Sequence, residues 1–258
     1  MDLSVCIISH ESGAYLDNCL DSVYASTGCL EKEVIVIDNC SQDDSAERVR
    51  SRYPQAVLSV NGERHGFATN MNRAFRLSRG RYLLALNPDT IVEPQALENL
   101  VAFLDNTPAA AAAGCKTLYP DGSLQLTCRE FPSVATVVWR WLHLERLSQP
   151  AFYRRSLMID WAHDQAQPVD WVMGSSLLLR REVAFDIGLF DEGYYLYYED
   201  IDLCFRLKQR GLAVYYVPDA CIMHEYQRHS ARGLFNRTTV WHAQSVFRYF
   251  SKHGWRVI

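Results

Sequence analysis

Short apolar runs and amphipathic stretches alternate through the first third of the chain. LSVCIIS (3–9), EVIVIDN (33–39), AVLSV (56–60) and RYLLALNPD (81–89) each carry a near-continuous apolar stretch. Strands buried on both faces of a sheet read this way. Between them the pattern turns helical. Leu16, Leu20 and Val23 recur at helical spacing, SQDDSAERVRSRY is polar and capped, residues 66–79 form a third helix, and PQALENLVAFLDN (94–106) is amphipathic. The βαβαβαβα order predicts a mostly parallel sheet with helices on both faces and right-handed crossovers. Ligands of such sheets bind beyond the carboxyl ends of the strands.

The rest of the chain is less regular. AAAAAGCKTLYPDGSLQLTCREF predicts a strand, a turn at Pro120-Asp121-Gly122 and a returning strand. Residues 133–168, with Trp139, Trp141 and Trp161, read as a helix and a variable segment. DWVMGSSLLLRREVAFDIG is a strand running into a helix, LAVYYVP (212–218) is a last strand, and residues 231–252 form a helix rich in arginine and aromatics. One domain over 1–230 with a helical extension over 231–258 is the simplest organisation.

One segment stands apart. YYLYYEDIDLCFRLKQRG (194–211) is an aromatic run followed by three carboxylates, Glu199, Asp200 and Asp202. Ile201, Cys204 and Phe205 fall at i, i+3, i+4, so a helix starts at the acids, and Gly211 suits its C′ stop. The helix macrodipole favours negative charge there. A carboxylate so placed is a candidate general base. The plain alternative is a capped helix start, with Asp202 paired to Arg206 one turn on.

Composition narrows the field. The 258 residues carry a net charge of −4, with 48% hydrophobic and 22% charged residues. That is an ordinary globular protein and argues against a nucleic-acid partner. The eight cysteines include no C-x-x-C pair and mostly sit in apolar runs. They read as small buried hydrophobes in a reducing compartment. No signal peptide opens the chain, and no apolar run approaches the about 20 residues of a membrane span. A cytoplasmic protein is expected.

Polar residues close several of the apolar runs. Asp38 ends the second strand, where an acid accepts hydrogen bonds from a ribose or base, or simply caps the next helix. In HGFATNMN, Gly66 permits close backbone approach and Asn70 and Asn72 offer amides to phosphate or sugar, or form an ordinary helix start. Asn87 and Asp89 of LNPDT lie where a diphosphate-bound cation needs oxygen ligands, although Pro88-Asp89 also suits an Asx-turn. His224 follows the last strand, and an imidazole completes a site for Mn²⁺ or a similar ion. Arg228, His229, Ser230 and Arg232 offer cations and a hydroxyl to phosphate oxygens, or a solvated basic loop. All fall on the side where an α/β sheet binds ligands.

The series VCIISHESG, VIVIDNCSQDDS, HGFATNMN, LLALNPDT, MGSSLLLRREVAFDIGLFDEGYYLYYEDIDLCFRLKQRG and MHEYQRHS resembles the inverting family-two glycosyltransferases with a GT-A fold, in particular the bacterial rhamnosyltransferases of polysaccharide assembly. The resemblance runs from about Leu3 to Ser230. It implies a Rossmann-like three-layer α/β sandwich with a C-terminal helical appendage. It implies Asp200 as catalytic base with Glu199 beside it on the acceptor side. Asp89 would ligate Mg²⁺ or Mn²⁺ with His224, in a motif where Asn87 replaces the first acid. Ser9, His10, Glu11, Asp38, Gly66, Asn72 and Asn87 fall on the nucleotide-sugar side. Trp171, Gly174, Asp191 and Glu192 fall on the acceptor side, with Tyr194 to Tyr198 as a pocket wall.

The implied donor is dTDP-rhamnose, or a UDP-linked sugar, and the acceptor a glycan or lipid-linked glycan. Departures at Glu11, at Arg64-His65-Gly66-Phe67 and at Asn72-Arg73-Ala74 bear on the donor. With a lipid-linked acceptor, Arg237, Arg248, Phe250, Lys252 and Trp255 would bring the last helix to the cytoplasmic face of the inner membrane. Two rivals are a nucleotide-sugar-binding domain without catalysis, suggested by the single acid in LNPDT, and a nucleotidyltransferase. The second would want a glycine-rich basic loop after the first strand, which SHESGAYL is not.

Overall fold

Apolar residues facing alternately up and down build the central sheet. In the computed structural model, which describes residues 1–225 and 237–255, β1 is Leu3–Ser9, β2 Lys32–Asp38, β3 Val57–Val60 and β4 Tyr82–Leu86. They are parallel, in the order β3-β2-β1-β4. Val34 and Val36 pack to one side of β2, and Ile35 and Ile37 to the other. Double-sided burial is why these strands read as unbroken apolar runs.

Helices α1 (Gly13–Ala25), α2 (Ser45–Arg52) and α4 (Ala96–Asn106) cover one face. The other face packs on α3 (Phe67–Leu77), α7 (Arg181–Asp186), α8 (Glu199–Gln209) and α9 (Arg237–His253). The result is the three-layer, mostly parallel α/β sandwich of the GT-A fold. Val246, Tyr249 and Phe250 of α9 belong to the same apolar cluster as α3 and α8.

Beyond β4 the sheet continues through β11 (Ser176–Arg180), β6 (Ala110–Leu118), β12 (Ala213–His224) and β5 (Thr90–Val92). β11 and β5 are antiparallel to their neighbours. β7 (Leu124–Gln125) returns along β6 after the turn at Pro120–Gly122, and β9 (Gln167–Val169) pairs with β12. β8 (Cys128–Arg129) and β10 (Trp171–Val172) form a separate small ladder. Residues 133–168 hold α5 (Val134–Trp141), a 3₁₀ turn at Leu144–Arg146 and α6 (Ala151–Ser156).

The last strand departs from expectation. The sequence pattern ends it at Pro218, yet β12 runs to His224. The pairing with β6 shifts register between Val217 and Cys221. A bulge there accommodates a residue with no N–H to donate. The extra stretch pairs with β5, setting His224 opposite Thr90 and beside Asp89. His224 is therefore a strand residue.

Among the described residues no helix is long and apolar enough to cross a membrane. The inner-face residues of α9 also differ from the membrane expectation. Phe250 is in the core, Arg248 and Lys252 pair with Asp191, and Lys252 also reaches Asp202. Its exposed apolar residues are Val240 and Phe247, with Trp255 just beyond its end. Arg237 remains exposed.

Candidate active site

The carboxyl ends of β1 and β2 stand level, with Ser9 paired to Asp38 and Asp38 to Val60. Asp38 is buried. Its Oδ2 accepts from the Ser41 N–H at 3.1 Å, which closes a turn, while the N-cap of α2 is Asp44. Its Oδ1 and the Ser9 hydroxyl are buried with no partner among the described residues. A buried acceptor left open costs about 1–3 kcal/mol, so both atoms suit a ligand donor such as a ribose hydroxyl or base N–H. The His10 Nδ1 lies 3.0 Å from the Asn39 carbonyl, and the Glu11 N–H donates to the Ser41 Oγ at 3.0 Å. Glu11 (φ 51°) and Cys40 (φ 60°) hold left-handed backbone in these facing loops. Such non-glycine outliers concentrate at ligand sites.

β4 stops at Leu86, and Asn87–Asp89 project past the sheet edge. The Asn87 carbonyl accepts from the Thr90 hydroxyl at 2.7 Å, so a threonine side chain bonded to the backbone closes this turn in place of an Asx-turn. The His224 Nε2 lies 3.2 Å from the Asp89 Oδ1 and 3.3 Å from the Asn87 Nδ2. The His224 Nδ1 faces the Gln125 Oε1 at 3.1 Å, and the Gln125 amide N–H donates to the His224 carbonyl at 2.8 Å. That second bond fixes which Gln125 atom is the oxygen, so the imidazole proton sits on Nδ1. In the neutral ring Nε2 is then a lone pair facing a carboxylate oxygen. Two acceptors at that distance need a proton or a cation between them. An imidazole nitrogen and a carboxylate oxygen converging beside a sheet edge are a donor set that a divalent ion accepts. Among the described residues no three or more His, Cys, Asp or Glu side chains form a complete metal cage. Asp89 and His224 would leave most coordination positions to a diphosphate, as Mg²⁺ and Mn²⁺ sites for nucleotides do.

Asp200 approaches this cluster through a short bridge. The Gly174 N–H donates to the Asp200 Oδ2 at 2.9 Å, and the Ser175 carbonyl accepts from the Asn87 N–H at 3.0 Å. Two consecutive residues thus join the candidate base to the cation loop. The Ile201 N–H donates to the Asp200 Oδ1 at 2.8 Å. Burial pushes the Asp200 carboxyl above its ordinary value of 3.8, against these backbone donors and the Arg129 charge, which pull it down. The helix start alone predicts an easily ionised acid, and burial reverses that sign. Burial and then the Asp200 charge push Glu199 well above 4.5. The Glu199 Oε2 is buried without a partner among the described residues. When the pair holds one proton it belongs on Glu199, because Asp200 holds the N–H donors that favour an anion. Tyr197 and Tyr198 enter this helix at φ 67° and 68°. Each left-handed non-glycine residue costs about 1–3 kcal/mol, held by the packing around it.

Several residues expected at the site have other tasks. The Asn72 amide donates to the Phe190 carbonyl and to Glu192, and its oxygen accepts from the Phe190 N–H. Both of its amide N–H groups are used inside the protein. Glu192 is further paired with Arg76, and Asp191 with Arg248 and Lys252. These two acids tie α3 and α9 to the turn, and both also line a cavity of about 390 Å³ with Asn72, Arg76 and Lys252. The Trp171 indole is buried, with its N–H on the Glu130 carbonyl and Arg129 over its ring. The tyrosine run seats α9: Tyr195 lies against Trp241, Tyr197 against His242, and Tyr198 against His242 and Tyr249. Arg228, His229, Ser230 and Arg232 lie outside the described residues.

Gly66 makes a close approach to the Tyr195 backbone. A Cβ there would stand 2.6 Å from the Tyr195 carbonyl oxygen, which also accepts from the Phe67 N–H. Gly66→Ala is expected to lower stability by about 1–3 kcal/mol, the usual cost of overpacking. It should lower kcat as well, because Tyr195 leads into Glu199-Asp200. Thermal denaturation and turnover check this; an unchanged melting temperature would contradict the contact. Arg129 and Gln125 carry no signal in the sequence. Both come from the stretch after the Pro120–Gly122 turn, and only the tertiary fold shows what they face.

The chain matches the family model described as "Glycosyl transferase family 2" over residues 4–165, more than half of its 258 residues. The chain belongs to glycosyl transferase family 2. This family 2 glycosyltransferase is 29% identical to rhamnosyltransferase WbbL of Escherichia coli (strain K12), over 96% of this chain and 92% of that one. It is 28% identical to the N-acetylglucosaminyl-diphospho-decaprenol L-rhamnosyltransferase of Mycobacterium tuberculosis, over 98% and 86%. In fold it is similar to the mannosyltransferase PcManGT from Pyrobaculum calidifontis, solved with GDP-Man and Mn²⁺, with a TM-score of 0.65 and 18% identity over 97% of this chain and 63% of that one. GalNAc-T7, solved with UDP, GalNAc and Mn²⁺, also gives a TM-score of 0.65, at 17% identity over 89% and 44%. This glycosyltransferase spans less than two thirds of either solved chain.

Proposed function

We propose that this glycosyltransferase moves a rhamnosyl group with inversion from dTDP-rhamnose to a hydroxyl of a glycan or lipid-linked glycan. The observation that carries the reading is the seat of Asp200. It is a carboxylate oriented by two backbone N–H groups, one of them on Gly174, whose neighbour Ser175 binds Asn87, with Glu199 buried beside it. Asp200 takes the proton of the acceptor hydroxyl. That oxygen forms its bond to the anomeric carbon from the face opposite the nucleotide, and dTDP leaves with the electron pair of the broken C–O bond. Asp38 and Ser9 offer open acceptors to the nucleoside. Asp89 and His224 would hold Mg²⁺ or Mn²⁺, whose charge would stabilise the leaving diphosphate. The rhamnosyltransferase relatives favour this donor, and the decaprenol-linked acceptor named for one of them favours a lipid-linked glycan at the cytoplasmic membrane face.

A thermal-shift panel tests the donor. A ligand at 100 times its Kd stabilises the fold by about 2.7 kcal/mol. With Mn²⁺, dTDP-rhamnose is expected to raise the melting temperature more than UDP-GlcNAc, UDP-Glc or GDP-Man. A UDP-sugar giving the larger shift and the only turnover would overturn the donor. EDTA is expected to abolish transfer, and added Mg²⁺ or Mn²⁺ to restore it; transfer unaffected by EDTA would remove the metal.

A further inference from the structure

We infer that Gln125 is a positioning residue for the candidate cation site, locking the His224 imidazole so that Nε2 presents a lone pair toward Asp89. The inference rests on the cation reading proposed above and extends it to a residue that does not itself touch the ion.

Gln125 is 5% exposed and reaches His224 across 99 positions of sequence. Its side chain makes two bonds to the same residue. The amide N–H donates to the His224 carbonyl, and the amide oxygen faces Nδ1. A flipped amide would set its oxygen against a carbonyl and its N–H₂ against the ring proton, so only one orientation satisfies both. That orientation selects the Nδ1–H tautomer. A ring held by a hydrogen bond on its far nitrogen is more basic and better aimed toward a metal.

The hairpin gains a purpose in this reading. β6 and β7 pair Thr117 with Gln125 across the turn at Pro120–Gly122, where Gly122 supplies φ 81°. β6 also pairs with β12, the strand that ends in His224. The short return strand thus brings one amide under one imidazole, with the ring edge turned to Asp89.

Two measurements test the inference. The first uses the unaltered protein. Histidine-selective ¹⁵N labelling at pH 8, with His224 assigned by the spectrum of His224→Ala, reads the tautomer directly. A protonated Nδ1 and an unprotonated Nε2 are expected; a ring protonated on Nε2 would overturn the inference. The second measures Mn²⁺ binding by electron paramagnetic resonance in the presence of dTDP. Gln125→Met keeps the volume and removes both bonds, and should weaken Mn²⁺ about 10–100-fold. Gln125→Glu, whose protonated form can restore both bonds, should stay within about threefold of wild type. A merely structural role would lower the melting temperature of Gln125→Met without moving Mn²⁺ affinity. Equal affinity of Gln125→Met and wild type, with loss in Asp89→Asn, would overturn the role of Gln125 alone. Absence of Mn²⁺ binding by wild type would overturn the cation site as a whole.

Discussion

Asp200→Asn is expected to lower kcat by about 10²–10⁴-fold, the range general-base catalysis supplies, while nucleotide binding persists. The substitution keeps the volume and leaves one oxygen for a backbone N–H, so the Gly174–Ser175 bridge to Asn87 has no reason to move. What it removes is the carboxylate oriented to take the acceptor proton. The contrast with Glu199→Gln makes the test specific. If Glu199 carries the shared proton, a neutral amide imitates it, and Glu199→Gln should retain far more turnover than Asp200→Asn. The reverse ranking would exchange their roles. The pH profile follows from the same pair. Asp200 acts as base only when ionised, and burial places its protonation above the ordinary 3.8. The rate therefore falls as pH falls through that raised value, and the acid limb of kcat/KM should lie above pH 3.8. Losing the proton from Glu199 would put two negative charges side by side in a buried space, so that step lies higher still.

Physical causes that act locally left a mark in the sequence. β2 was legible because both faces are buried, so that VIVI admits no polar residue. The start of α8 was legible because Ile201, Cys204 and Phe205 repeat at the helical period beneath an acidic first turn. The strand-end acids were legible as ends of apolar runs, and the sheet register gathers Ser9 and Asp38 on one level. What remained hidden depends on contacts between distant segments. Nothing near Gln125 announces a histidine 99 positions on, and nothing near Arg129 announces Asp200. The bulge that carries β12 past Pro218 depends on its neighbour β6. The Phe-Asp-Glu turn was legible as a motif, but its ion-pair partners were not, because Arg76, Arg248 and Lys252 come from helices distant in sequence.

That ion-pair network carries the second large effect. Asp202→Ala is expected to cost about 3–5 kcal/mol, the usual loss when one member of a buried ionic cluster is removed. Asp202 is fully buried and its carboxylate meets Arg206, Lys252 and His253 at 2.7 Å each, with the Tyr194 hydroxyl at 3.3 Å. Alanine would leave four cationic or polar groups without their common acceptor. Total stability of a domain is about 5–15 kcal/mol, so a large share would go. The loss should centre on α9, because Lys252 and His253 are its last turn and Asp191 holds the same end through Arg248 and Lys252. Urea denaturation would give the loss, and limited proteolysis would show cleavage at α9 before the sheet; a change under about 1 kcal/mol would contradict the cluster. Acid should release the same helix in the wild type. The Asp202 carboxyl is held below 3.8 by Arg206, Lys252 and His253 in spite of its burial, and Asp191 is held down to about 2, chiefly by Lys252. Carboxyls depressed on folding contribute fully above their unfolded value and lose that contribution as pH falls through it toward the folded one. Between about pH 4 and 2 the wild type should therefore shed stability that Asp202→Ala has already lost, and the two denaturation midpoints should converge. Because Asp202 sits two positions from Asp200 on the first turn of α8, the acid that releases α9 also loosens the seat of the base.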